Sequence, residues 1–163
     1  MGGEAMDVSI QPIGEAFAGA VSGVDCRRPL SPEAVAAIEA GMDHYGVLVY
    51  RGQMLTDEEQ LAFTLHFGEI ETKGRGSGKG RIHFRDDQQA RALAPGIGDF
   101  SNMDGRGKPL APDSRAYMFK LADRMWHSDS SFRAIPAKYS LLSGRTVPSW
   151  GGNTEFADMR AAY

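Results

Sequence analysis

The stretch Arg124-Met125-Trp126-His127-Ser128-Asp129-Ser130-Ser131-Phe132 sets an imidazole and a carboxyl group two residues apart. In a strand, residues i and i+2 project to the same face, so His127 and Asp129 can converge on one ion. A neutral imidazole and a carboxylate, with no thiolate, suit Fe(II), Mn(II) or Zn(II). A facial set of two histidines and one carboxylate would leave adjacent positions open for substrates and O2. Taken alone, the pair fits an ordinary polar loop as well, since a His-x-Asp arises by chance in roughly one chain in five of this size.

Other chemistry-bearing residues carry less. Cys26 is the single cysteine, so neither an internal disulfide nor a Cys-based zinc site is available. It precedes "RRPLSP" without a partner motif and reads as an inert thiol rather than a nucleophile. The run "GSGKG" invites a phosphate-loop reading that fails on two counts. A Walker A motif needs glycine where Lys73 stands and serine or threonine where Gly80 stands.

The elements that must position these groups follow from periodicity and punctuation. "VSIQPI" alternates as a half-buried strand, and "GAVSGVDC" is a second, glycine-weakened strand. A helix opens at Ser31 as N-cap with Pro32 at its first position. It carries Val35, Ile38, Met42 and Tyr45 on one apolar face and stops at Gly46. "VLVYR" is the candidate central strand. A second helix starts with a capping box, Thr56 to Glu59, and ends at Gly68. Residues 72–97, with "KGRGSGKGR" near their start, read as a mobile lid or loop. From Tyr117 onward the pattern predicts strands: "AYMFKL", "MWHSDSSF", "KYSLLSGRTV" and "TEFAD". "MRAAY" then reads as the first turn of a helix.

Composition bounds the class. With 163 residues, 42% hydrophobic and 24% charged, the chain has the size and balance of one globular domain. A formal charge of -3 gives no reason to expect nucleic acid as a partner. No apolar run approaches the roughly 18 residues of a membrane span, and the N-terminus lacks a signal-peptide pattern. Cytoplasmic localisation is the expectation, with a homo-oligomer an open alternative to a monomer.

The run "WHSDSSF", followed by "AKYSLLSGRTVPSWGGNTEFADMRAAY", resembles the taurine and 2,4-dichlorophenoxyacetate dioxygenase family of Fe(II)/2-oxoglutarate enzymes, and most the 2,4-dichlorophenoxyacetate branch. "GVDCRRPLSPEAVAAI", "YGVLVYRGQMLTDEEQLAFTLHFGEIE" and "FSNMDGRGKPL" resemble family segments in the same order. Residues 72–97 do not.

The resemblance implies an α+β chain with a double-stranded β-helix (jelly-roll) fold and flanking helices, incomplete at the C-terminus. Residues 1–163 would be the N-terminal part of a single dioxygenase domain. It implies His127 and Asp129 as two of three iron ligands, and Thr154 as donor to the 2-oxoglutarate carboxylate, a fitting role for an uncharged hydroxyl. Trp126 would pack beside the metal. Lys108 matches a region associated with substrate, against the plain alternative of a solvated lysine.

Fe(II) would be the cofactor, with 2-oxoglutarate and O2 as cosubstrates. The substrate would be a small organic carboxylate or sulfonate, foremost an aryloxyalkanoate such as 2,4-dichlorophenoxyacetate. Hydroxylation beside its ether oxygen gives a hemiacetal that collapses to a phenol and a 2-oxo acid. His44, His66 and His83 lack the context of the family's distal histidine, and the arginine expected after it has no counterpart in this sequence. The chain alone is therefore expected to bind metal weakly and turn over poorly. The competing reading is a truncated, non-catalytic β-rich binding or interaction domain; a Zn hydrolase would need a further ligand.

Overall fold

The computed structural model describes residues 7–15, 17–71, 97–98, 100–104, 106–122 and 124–163. The lid expected over 72–97, all but its last residue, and His83 lie outside the described residues. Two compact units emerge, one from residues 1–68 with 141–163 and one from 69–140.

In the first unit three strands form a mixed sheet in the order β1 (Ser9–Pro12), β2 (Ala18–Ser22), β3 (Val47–Tyr50). β1 and β2 are antiparallel, pairing Ile10 with Val21 and Pro12 with Gly19. Pro12 is tolerated because β1 is an edge strand and needs no second ladder. β2 and β3 run parallel, Ala18 opposite Val47, which requires a crossover. Helix α1 (Pro32–Tyr45) supplies it. β2 is thus the middle strand, and β3, expected at the centre, is an edge among the described ladders. A β-branched run marks a strand well, but its rank in the sheet depends on partners far along the chain.

Local punctuation places α1 as expected. The Ser31 side chain accepts from the Ala34 amide, Pro32 opens the helix, and Gly46 ends it at φ 79°, a left-handed conformation that glycine adopts without a Cβ penalty. Its buried positions are Ala34, Ile38 and Gly41, so the packed stripe is rotated from the expected Val35–Ile38–Met42–Tyr45 face, whose other members are half-buried. The smallest residues sit where the helix comes nearest the sheet. A Cβ on Gly41 would lie 2.3 Å from Ile10 Cδ1, and one on Gly19 would meet Ile10, Tyr45 and Leu48 at 2.7–3.1 Å.

Helix α2 (Asp57–Leu65) begins with the Thr56–Glu59 capping box, both reciprocal bonds formed. It ends at Leu65 with His66 as C-cap, three residues before Gly68. Phe63 on α2 is buried with Val24, Cys26, Leu30, Ala34 and Ile38, and stacks edge-on with Tyr50 and Phe67. His66 has a structural role here: its Nε2 accepts from the Leu30 amide at 3.2 Å.

The C-terminal residues of this unit are held by two arginines. Arg145 bonds the Leu55 carbonyl, Asp57 (3.0 Å) and Gln60 (2.9 Å) at the start of α2. Arg160 donates to the carbonyls of Asp43 (3.0 Å), His44 (3.3 Å) and Tyr45 (3.2 Å), closing the end of α1 where a cation complements the helix dipole. Asp158 holds the same guanidinium and caps a short 3-10 turn, Met159–Ala162, where a helix start was expected.

In the second unit the segment "AYMFKL", expected as a strand, is helix α3 (Arg115–Ala122). Ser114 accepts from the Tyr117 amide at 3.1 Å, and half-buried Ala116, Tyr117, Lys120 and Leu121 recur at helical spacing. "MWHSDSSF", "KYSLLSGRTV" and "TEFAD" form no strand among the described residues. A strand exists only when a neighbour completes its ladder. Outside the sheet the described ladders contain one isolated bridge, Met103 to Pro109. No helix among the described residues is long and apolar enough to cross a membrane.

Candidate metal centre

His127 and Asp129 converge, though not on a strand. They lie where a loop passes into a turn, and His127 Nε2 stands 3.3 Å from Asp129 Oδ1. Each group has a second tether. His127 Nδ1 is 2.7 Å from the Met125 carbonyl, which can only accept, so Nδ1 carries a proton and Nε2 is the nitrogen that faces Asp129. The Ser140 hydroxyl donates to Asp129 Oδ2 at 2.7 Å, leaving Oδ1 turned toward the imidazole.

The turn itself is pinned from elsewhere in the unit. Ser130 adopts φ 54°, a left-handed conformation uncommon for a residue with a Cβ. Its hydroxyl donates to Glu71, whose other carboxylate oxygen pairs with Arg133. The Arg133 amide closes back on the Ser130 carbonyl at 3.0 Å. A sparsely populated backbone next to Asp129 is thus held by a carboxylate nearly sixty residues earlier in the chain.

The donor set fits a divalent transition metal. Two donor atoms 3.3 Å apart can both reach one ion at bonds of about 2.0–2.2 Å. In the neutral ring Nε2 would offer its lone pair, and the side chains are 53% and 59% accessible, open to an ion from solvent. Among the described residues no group of three or more His, Cys, Asp or Glu side chains assembles, so the pair offers two donors without a third.

Lys108 is exposed on a tight turn: its amide and that of Arg106 donate to Asp104 Oδ1 at 2.9 and 2.8 Å. Those bonds and the nearby cations hold the Asp104 carboxyl below its usual range. Thr154 is exposed and belongs to the first unit. Trp126, expected to pack beside the metal, is 69% exposed. Cys26 is buried, and desolvation, then the Asp25 charge, push its thiol up to about 11, as an inert thiol requires.

Sequence reasoning missed Ser140, Glu71 and the Met125 carbonyl. A serine in "KYSLL" or a glutamate before a glycine-rich run carries no spacing signal. The fold brings Glu71 to the turn and Ser140 to Asp129, while Met125 is a local neighbour of His127.

The chain belongs to the taurine catabolism dioxygenase TauD, TfdA family, whose model matches residues 9–163. It is 39% identical over 158 residues to the alpha-ketoglutarate-dependent 2,4-dichlorophenoxyacetate dioxygenase of Cupriavidus pinatubonensis, a match covering 97% of this chain and 52% of that protein. It is 30% identical to the (S)-phenoxypropionate/alpha-ketoglutarate-dioxygenase of Delftia acidovorans, over 96% of this chain and 48% of the relative. Among solved structures, AAD-2 in complex with Mn(II) and N-oxalylglycine superposes with a TM-score of 0.77 at 48% identity, covering 94% of this chain and 49% of that one. The chain spans about half the length of the curated relatives it matches.

Proposed function

We propose that this chain carries the metal-binding portion of an Fe(II)/2-oxoglutarate-dependent dioxygenase acting on a small aryloxyalkanoate. The supporting observation is the convergence of His127 Nε2 and Asp129 Oδ1 at 3.3 Å, each oriented by its own hydrogen bond. The relatives' names support the substrate class: 2,4-dichlorophenoxyacetate and (S)-phenoxypropionate are both aryloxy acids. AAD-2 supports the ligand class, since N-oxalylglycine is 2-oxoglutarate with one methylene replaced by NH.

In this reading His127 and Asp129 hold Fe(II), and the jelly roll of the resemblance is the scaffold of the whole domain. With 2-oxoglutarate and O2, the iron supplies oxidative decarboxylation coupled to hydroxylation of a substrate C–H bond. The chain's own residues orient the reactants. The Thr154 hydroxyl donates to a 2-oxoglutarate carboxylate, and Lys108 offers a cation to the substrate carboxylate. Asp129 adds one negative charge to the site, which leaves a divalent ion with positive charge for two anionic reactants. Hydroxylation next to the ether oxygen lets the product fall apart to a phenol and a 2-oxo acid. One buried thiol and no disulfide suit a cytoplasmic setting.

Anaerobic titration tests the reading. Adding 2-oxoglutarate to the Fe(II)-loaded protein should raise a visible metal-to-ligand charge-transfer absorption, absent in Asp129→Ala and in His127→Ala. No absorption in the parent protein, or equal absorption in both variants, would remove these two residues from the metal.

A further inference from the structure

We infer that Ser140 is a positioning residue for the metal centre, holding the Asp129 carboxylate in the rotation that presents one oxygen to the ion. The inference rests on the metal reading above and goes beyond the ligands themselves. Its basis is an asymmetry between the two oxygens of one carboxylate. Oδ2 accepts from the Ser140 hydroxyl at 2.7 Å, and Oδ1 stands 3.3 Å from His127 Nε2. A carboxylate on a 59% accessible side chain is otherwise free to rotate about its last torsion and to trade either oxygen with water. One donor on Oδ2 removes the near-equivalence of the two oxygens.

Ser140 can do this from where it sits. It lies eleven residues beyond Asp129 within the same compact unit. The intervening turn is closed by the Ser130–Arg133 backbone bond and pinned by Glu71. His127 is fixed in the same way on its far nitrogen by the Met125 carbonyl. Both donors are therefore held through the atom that does not face the ion, the arrangement that sets ligand direction and basicity in metal sites. A hydroxyl suits the task on Asp129 because it donates without bringing a charge that would compete with the metal.

The test uses the 163-residue chain and Mn(II) alone as probe, with affinity read by the loss of the free-ion paramagnetic resonance signal. Ser140→Ala should weaken Mn(II) binding by about tenfold, within the range for removing a group that orients a ligand. Ser140→Thr, which keeps the hydroxyl, should restore most of it. Circular dichroism and thermal unfolding of both variants should match the parent, because Ser140 lies outside the buried cluster. Unchanged affinity in Ser140→Ala would overturn the inference, as would equal weakening in Ser140→Thr. Asp129→Ala separates the two levels of the argument. If it binds Mn(II) as the parent does, or if the parent binds none, the metal reading itself fails and the inference falls with it. If Asp129→Ala loses binding while Ser140→Ala keeps it, only the inference fails.

Discussion

Asp129 and Cys26 show how differently one side chain behaves in water and in the core. Asp129 is exposed, so its pairing with His127 across 3.3 Å is weak by itself; its value lies in direction, which hydrogen bonds on the outer atoms supply. Cys26 is buried, and its thiol is pushed from 9.0 up to about 11 by desolvation and by Asp25. Burial likewise pushes up the Tyr50 hydroxyl. The folded thiol thus holds its proton more tightly than the unfolded one. Its contribution to stability is complete below about pH 9 and is lost as pH rises toward 11. Thermal unfolding should hold steady from neutral pH to about 9 and then decline, and Cys26→Ala should blunt the decline. A thiol reagent at neutral pH should label Cys26 only as fast as the chain opens. Immediate labelling of the folded protein would contradict its burial.

At the scale of elements, α1 is defined by neighbours in sequence and seated by neighbours in space. Ser31, Pro32 and Gly46 define its ends within a few residues of each. The approach to the sheet depends on Gly41 and Gly19, which leave room for Ile10, Tyr45 and Leu48. Gly19→Ala should therefore cost about 1–3 kcal/mol by overpacking, read as a lower denaturant midpoint. Removing the α2 cap with Thr56→Ala should cost about 1 kcal/mol by the same measurement. A Gly19→Ala protein as stable as the parent would mean that the helix rides higher than these distances allow. Arg160 closes the far end of α1 from more than a hundred residues away, so its loss should speed amide exchange in both α1's last turn and the 3-10 turn.

At the scale of the whole chain, each unit carries uncovered apolar side chains. Trp150 is 92% exposed in one, Trp126 and Phe132 in the other, and no described residue of the second unit is fully buried. Tryptophan emission from the folded chain should be red-shifted and readily quenched by acrylamide; a blue-shifted, protected spectrum would show that self-association covers these rings. In the proposed metal site the described residues supply two donors, and two protein ligands would hold a divalent ion less firmly than three. With Fe(II), 2-oxoglutarate and an aryloxy acid, the 163-residue chain should form less than one succinate per polypeptide. Sustained turnover would show that the described pair is not the full set of ligands in use.

The sequence alone determined what depends on near neighbours: both N-caps, the Gly46 stop, the three N-terminal strands and the His-x-Asp spacing. These are contests between adjacent backbone groups, and residue type decides them within one or two turns. The family, too, was legible, because order and spacing of short motifs survive without coordinates. The tertiary structure decided which strand lies in the middle, that "AYMFKL" coils around Ser114 instead of extending, and that the segments after it lack ladders among the described residues. It also decided that His127 and Asp129 meet through a turn held by Met125, Glu71 and Ser140 rather than through a pleat. Glu71 lies nearly sixty residues before Ser130 and Ser140 eleven after Asp129, and no local pattern encodes which partner arrives.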